Sequence, residues 1–350
     1  MRTFSASEAF SIAAPTSCGY QAATNPEAPV PVSPDLLREL CSRTLERTHF
    51  AELGTRIEGK VRDSYVDEKR RTIIVSDRVS CFDVVVGTIP LKGQLLNEMA
   101  AFWFEKTREL APNHLISVPD PNVSSVRELK ILPVEFVTRA YLTGVTSTSI
   151  WTAYAKGARE YCGHRLPDGL AKHAALPQPI VTPTTKAEKG AHDELTSRTE
   201  ILRRGVMSAE LYDRAEALAL KLFAAGAAWA ASRGLILVDT KYEFGLDENG
   251  NLVVADEIHT PDSSRYWYRD AYEPSLAAGA DPRALDKEYV RRWLVAEHAY
   301  QGQGAPPALS DDVRIEAARR YIEAFEQLSG RAFVPDTSEP IARIRRNLGL

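Results

Sequence analysis

Apolar and polar positions change rhythm several times along this chain, and each change marks an element. From Leu235 the residues read LILVDTKYEF, an apolar run followed by Asp239, Lys241 and Glu243 at every second position. Side chains alternate across a strand, so these three charged groups share one face. Asn249-Gly250 is the preferred dipeptide for a two-residue hairpin turn, and the apolar run Leu252-Val253-Val254-Ala255 follows it. With that turn Glu248 pairs with Asn251, and counting back sets Glu243 opposite Asp256. Two facing carboxylates repel unless a cation lies between them. A magnesium ion carrying phosphates fits such a place; the solvated face of a surface hairpin is the competing reading. A register changed by one residue would bring Glu257, not Asp256, to the Glu243 face.

Helical spacing appears elsewhere. Leu211, Ala215, Leu218, Leu222, Ala225 and Trp229 predict a helix leading into that strand, and Leu95, Leu96, Met99, Phe102 and Trp103 predict another over Gln94–Thr107. Further helices are expected over Lys287–Glu297 and over Asp311–Leu328, the latter capped by Ser310. Ser33-Pro34-Asp35 carries the cap, proline and acid of a helix start, followed by Leu36, Leu37, Leu40 and Leu45. Thr55 to Ser76 reads as short strands that reverse at Gly59 and at Asp67-Glu68. Leu132–Tyr141 reads as a strand with Glu135, Val137 and Arg139 on one face. Leu166–Thr199 is a polar segment with four prolines, too long for an ordinary connection and read as functional or mobile. Hairpins and helices interleave without regular βαβ units, which favours an α+β fold.

Composition narrows the class. A chain of 350 residues with 44% hydrophobic content can bury one large core or two moderate ones. The net charge of -4 makes no electrostatic case for nucleic acid or an anionic membrane. Cysteines at 18, 41, 81 and 162 form no Cys-x-x-Cys pair, which argues against zinc or a disulfide framework and suits a reducing compartment. No apolar run approaches a membrane span. The first 33 residues hold four prolines and only three charged residues, the composition of a flexible tail. A soluble, cytoplasmic protein acting on small molecules is expected.

Gly59-Lys60-Val61-Arg62-Asp63 is the second chemical feature. Glycine lets a backbone approach a ligand, and cations at alternate positions can hold phosphate oxygens; a plain basic turn has the same sequence. The string is neither a Walker loop nor the longer kinase glycine loop. It stands, however, with SDRVSCFDVVVGTIPLKGQLLNEMAAFWF at 76–104, LPVEFVTRAYLTG at 132–144, PTTKAEKGAHDE at 183–194 and the hairpin through Trp267. Together, in this order, the blocks resemble the phosphoribosylaminoimidazole-succinocarboxamide synthase family of purine biosynthesis, from about residue 50 to about 300.

That resemblance implies a two-domain α+β fold related to kinase and ATP-grasp architecture. Residues 1–33 would be the tail and 34–132 an antiparallel domain whose glycine hairpin covers ATP. Residues 133–350 would form a larger α+β domain with the metal-binding hairpin and C-terminal helices. It implies an ATP-dependent ligase joining L-aspartate to carboxyaminoimidazole ribonucleotide through an acyl phosphate, with Mg2+. Lys60, Arg62, Lys186 and Glu243 would serve the nucleotide, Glu243 and Asp256 the metal, and Lys241 with Asp239 the chemistry. Asp77, Ser80, Asp83, Arg139, Asp262 and Arg265 would bind the ribonucleotide. Val145 stands where the family pattern often has a phosphate-binding serine; either Ser149 or one of its neighbours takes over that contact after a local insertion, or the contact is absent. Lys189 and Asp193 would order over the substrates. His192 reads as a solvated loop residue and His259 as a packing residue, since magnesium prefers oxygen ligands. A small-molecule kinase of related fold is the alternative: it would share the hairpin and acids but need no second nucleophile.

Overall fold

The strand marked by the charge alternation is the spine of the molecule. In the computed structural model, which describes residues 32–67, 69–146, 149–185, 194–285 and 288–350, Val32–Leu350 form one compact unit. After helix α1 (Pro34–Leu40), strands β1 (Thr55–Glu58), β2 (Arg62–Asp67) and β3 (Arg70–Val75) meander, and β4 (Arg78–Cys81) and β5 (Val84–Thr88) form a separate ribbon. Helix α2 (Lys92–Thr107) leads to β6 (Leu115–Asp120) and β7 (Val123–Arg127). The first sheet is antiparallel, in the order β1-β2-β3-β7-β6.

The second sheet is drawn from β8 (Lys130–Ile131), β9 (Val134–Tyr141), β12 (Ala175–Thr185), β13 (Glu194–Leu195), β14 (Leu235–Leu246), β15 (Leu252–Ala255) and β16 (Ser264–Tyr268). A small ribbon, β10 (Glu160–Tyr161) and β11 (His164–Arg165), and helices α3 (Ile150–Ala155), α4 (Arg198–Arg203) and α5 (Ala209–Ser232) intervene. Helices α6 (Arg269–Ala277), α7 (Glu288–His298), α8 (Asp311–Ser329) and α9 (Pro340–Leu348) close the chain. Helices mixed with antiparallel sheets make the α+β fold expected.

Strand β14 changes partners along one edge. Its first half, Leu235–Thr240, pairs with β16, and its second half, Glu243–Leu246, pairs with β15. The connection from Asp256 to Ser263 therefore leaves the sheet at the level of Lys241, whose N–H donates to the Ser263 carbonyl at 3.0 Å. An opening in the sheet edge arises where the charged side chains stand.

Three expectations need correction. The hairpin register is Glu243 opposite Ala255, not Asp256, through Leu246 opposite Leu252. Asn249-Gly250 does not form a two-residue turn. Gly250 N–H donates to the Asp247 carbonyl at 3.0 Å, Asp247 N–H to the Asn251 carbonyl at 3.1 Å, and the Asp247 carboxylate accepts from Asn249 and Asn251 N–H. With Gly250 at φ 77°, this is a three-residue loop built on a type I turn, and the Asp247 side chain selects it. Second, the segment 166–199 is not one loop: Ala175–Thr185 is an eleven-residue strand on β9, with Ile180 and Val181 buried. Pro177 and Pro179 fall in an irregular register between Ala175 and Ile180, while Pro183 lies opposite Phe136. Third, α5 forms where expected, but its buried face is turned by about one position. It runs through Tyr212, Ala215, Ala219, Leu222, Phe223, Gly226 and Ala230. The small residues allow close approach: a Cβ on Gly226 would lie 2.3 Å from the His259 ring.

Candidate active site

The opening beside β14 deepens into a cavity of about 640 Å3, within the usual range for small-molecule sites. Lys60, Arg62, Ser80, Asp83, Lys241, Glu243, Asp256 and Asp262 all line it, so eight of the expected positions meet in one place.

One wall is the glycine hairpin. Gly59 N–H donates to the Arg62 carbonyl at 2.8 Å, closing a turn with Lys60 and Val61 at its tip. A Cβ on Gly59 would stand 3.0 Å from that carbonyl oxygen, which favours glycine there. The hairpin is clasped from below by Arg78, a residue not singled out from the sequence although it lies in the SDRVSCFD string. Its guanidinium donates to the carbonyls of Lys60 (2.9 Å), Gly59 (3.0 Å) and Glu46, and to the buried Asp63 carboxylate at 3.0 Å. Ser76 Oγ holds the Val61 carbonyl at 2.8 Å. The hairpin is thus held by side chains fifteen or more residues away in sequence.

The floor is ionic. Lys241 Nζ stands 2.5 Å from Glu243, 3.0 Å from Glu135 and 3.8 Å from Asp256. Arg62 pairs with Asp256 and, at 2.6 Å, with Glu257. Burial opposes charge on Lys241, but Glu243, Asp256 and Glu135 outweigh it and raise its pKa well above the usual value. The same contest raises Arg62, through Asp256 and Glu257. The Asp256 carboxyl is pushed up to about 6, by burial first and by its acidic neighbours, against the pull of Arg62 and Lys241. Lys241 and Arg62 together touch four carboxylates, an excess of two negative charges that one divalent cation would balance. Among the described residues no three His, Cys, Asp or Glu side chains converge as a ready-made metal cage. Magnesium does not require one, because it keeps several waters and takes one or two carboxylates plus phosphates. Glu243 and Asp256 fit that role.

Asp256 reaches this floor by a route the sequence did not show. With Glu243 opposite Ala255, a regular strand would turn Asp256 to the other face. Asp256 instead adopts φ 61°, a left-handed conformation that ends β15 and redirects the side chain into the cavity. Glu257 follows it in.

The second wall comes from the ribbon and the loop before β16. Phe82 and Asp83, at φ 54° and 64°, form the ribbon's tip, and Asp83 pairs with Lys60 at 2.5 Å. Asp262 accepts from Lys92 Nζ at 2.8 Å and from the Tyr321 hydroxyl at 2.6 Å. Lys92, fully buried at 0% exposure, and Tyr321 were both missed: Lys92 lies in the 76–104 block without a role of its own, and Tyr321 lies in none of the blocks. Arg291 of α7 also lines the cavity.

A second charged group lies one strand repeat along, about 6.6 Å from Lys241 by strand geometry. Asp239 accepts from Arg139 Nη1 at 2.9 Å and faces Arg265 Nε at 3.7 Å, while Arg139 Nε donates to Thr182 at 2.9 Å. Asp239 is thus held between two arginines. None of the three lines the main cavity.

Two expected ligands are occupied elsewhere. Asp77 is buried and accepts N–H bonds from Leu45 (2.7 Å) and Gly93 (2.8 Å), and burial raises its pKa to about 6. Ser149 caps α3, its hydroxyl accepting from Thr152 N–H at 3.3 Å and meeting the Thr152 hydroxyl at 2.8 Å. Both polar groups satisfy backbone atoms rather than a cavity. Lys186, Lys189, His192 and Asp193 lie outside the described residues. His259 packs as expected: it is buried against Trp103, bonds the Tyr242 hydroxyl at 2.5 Å, and is lowered by burial to about 3.

Known proteins resemble this chain over most of its length. A family profile described as SAICAR synthetase matches residues 55–307. A phosphoribosylaminoimidazole-succinocarboxamide synthase of Legionella pneumophila is 46% identical over 287 residues, covering 81% of this chain and 91% of that protein. Among solved structures, the SAICAR-synthase from Saccharomyces cerevisiae complexed with SAICAR superposes with a TM-score of 0.72 at 30% identity, over 83% of this chain and 100% of that one. A SAICAR synthetase in complex with ADP gives a TM-score of 0.60 at 26% identity, over 81% of this chain and 100% of that one.

Proposed function

The chain belongs to the SAICAR synthetase family, and from that premise we propose how its cleft carries the reaction. Its activity is that of a ligase in purine biosynthesis, and the kinase alternative finds no support among its relatives. The reactants are ATP, L-aspartate and 5-amino-1-(5-phosphoribosyl)imidazole-4-carboxylate. A carboxylate oxygen of the ribonucleotide attacks the γ-phosphorus, the bond to ADP breaks, and an acyl phosphate forms. The aspartate amine then attacks the acyl carbon. Phosphate leaves with the original carboxylate oxygen, and the nitrogen loses a proton.

The observation that carries this reading is the ionic floor, where Lys241 and Arg62 touch four carboxylates beside the glycine hairpin. Lys60 and Arg62 hold the phosphates of ATP from the hairpin, and Glu243 and Asp256 hold Mg2+. When bound, that ion neutralises phosphate charge, the main requirement of phosphoryl transfer. Lys241 lies among these acids and offsets the negative charge of the attacking carboxylate. Ser80, Asp83 and Asp262, which line the same cavity, hold the ribonucleotide. Arg139 and Arg265 hold its phosphate, because a planar fork matches phosphate oxygens, with Asp239 fixing both forks. Lys186 serves the nucleotide, and Lys189 and Asp193 the substrates.

Two lobes are part of this reading: the first sheet draws only on residues 55–127 and the second on residues 130–268. We also assign the protein to the cytoplasm, on the scattered cysteines, of which Cys41 and Cys162 are free thiols. Among the described residues no helix is long and apolar enough to cross a membrane.

An isotope experiment tests the acyl phosphate. With 18O in the ribonucleotide carboxylate, the released phosphate should carry one label per turnover. Unlabelled phosphate would refute the intermediate.

A further inference from the structure

Asp262 brings an acid to a cavity that must take an anionic ribonucleotide, and its two oxygens are held from behind by two different helices. Lys92 Nζ, at the start of α2, donates to Oδ2 at 2.8 Å, and the Tyr321 hydroxyl of α8 donates to Oδ1 at 2.6 Å. The Lys92 ammonium also lies over the Tyr321 ring, 5.6 Å from its centroid. Lys92 and Tyr321 are buried, and the Asp262 side chain is 8% exposed. A carboxylate so enclosed is costly unless a charge partner and hydrogen bonds satisfy it. Burial first, then the charge of Asp262, raises the Tyr321 hydroxyl well above its usual pKa, so it keeps the proton that it donates. Tyr321 lies beyond residues 55–307, which the family profile matches, yet its helix is firmly placed. Arg314, seven residues earlier and so on the same helix face, donates to the carbonyls of Thr88 and Cys41, each at 2.8 Å. Thr88 ends the ribbon that carries Ser80 and Asp83.

We propose that Tyr321 is a positioning residue for ribonucleotide binding: its hydroxyl, opposite the Lys92 ammonium, fixes the plane of the Asp262 carboxylate at the cavity wall. Tyr321 itself does not line the cavity, so it acts through Asp262. Lys92 offsets the charge that would otherwise repel the substrate's phosphate and carboxylate. One donor leaves a carboxylate able to turn about its Cβ–Cγ bond; a second donor on the other oxygen stops that rotation. The C-terminal helix α8 thereby takes part in the site. The proposal rests on the reading of Asp262 as a ribonucleotide ligand, and its test separates the two.

Steady-state KM values for the ribonucleotide and for ATP are measured on the full chain, for Tyr321→Phe, Asp262→Ala and the double variant. Tyr321→Phe keeps the ring and its packing beneath Lys92 and removes only the hydroxyl. It should raise the ribonucleotide KM by about tenfold and leave the KM for ATP within about twofold. In the Asp262→Ala background the same substitution should change the ribonucleotide KM by less than about twofold, because the group it positions is gone. A parent-like ribonucleotide KM in Tyr321→Phe would overturn the proposal, as would equal rises for both substrates. So would a full tenfold rise in the Asp262→Ala background, since Tyr321 would then act by another route. Failure of Tyr321→Phe to fold would overturn it too, because the hydroxyl would then serve stability. Asp262→Ala is also the control, with Asp262→Asn, which keeps the shape, in its place if the alanine variant does not fold. If the control has a parent-like ribonucleotide KM, the reading of Asp262 fails; if its KM rises while that of Tyr321→Phe does not, only this inference fails.

Discussion

At the scale of single residues, the sequence shows which groups carry charge but not what each charge is used for. Asp239, Lys241 and Glu243 were legible because a strand's period leaves them one face. Asp77 and Ser149 looked equally functional, yet their oxygens are taken by backbone N–H groups, which composition and motif do not reveal. Glu135, on the same face of β9 as Arg139 and inside the LPVEFVTRAYLTG string, had the signal of a site residue but no role assigned to it. Glu98 is a further case, an acid on α2 among apolar neighbours. Burial pushes its carboxyl up to about 7, opposed only by the charge of Arg331. Its folded pKa lies above the ordinary 4.5, so the stability linked to its proton is present below that value and lost as pH rises through 7. Glu98→Gln, which mimics the neutral acid, should therefore raise stability at pH 8 by on the order of 1 kcal/mol and add little near pH 4. Urea melts at both pH values check this; an equal gain at both would contradict it.

At the scale of elements, periodicity found the long strand and the helices, while the details were decided by contacts distant in sequence. The Asn249-Gly250 preference lost to the Asp247 side chain, which bonds two N–H groups within the loop. The prolines of 175–185 masked a strand because their cost is met by pairing on β9. The glycine hairpin was legible as a basic turn, but not its clasp. Arg78 grips three backbone carbonyls with a planar fork, so Arg78→Lys keeps the charge and loses the geometry. The variant should raise the KM for ATP by about tenfold and leave that for L-aspartate within about twofold. Equal changes in both would mean that Arg78 supports the fold in general rather than the hairpin.

At the scale of the whole molecule, the fold class followed from interleaved hairpins and helices, and the resemblance covered the catalytic blocks. The chain's last turn of architecture was not legible. Helix α9 returns to the first sheet, where Arg343, 1% exposed, bonds Asp120 at 3.0 Å and Asn122, and Ile344 packs with Leu45 and Phe50. A buried arginine two hundred residues from its carboxylate leaves no local pattern. Such closures let residues from both sheets, the ribbon and α7 line a single cavity, with Tyr321 of α8 bonded to Asp262 at its edge. The central claim is that this one cavity joins three reactants, with the amine needed to release phosphate. Steady-state phosphate release, measured with Mg2+ present and each reactant withheld in turn, tests it most directly. Omitting L-aspartate should lower the rate by about a hundredfold or more, as omitting the ribonucleotide should. Phosphate released at the full rate without L-aspartate would contradict the account.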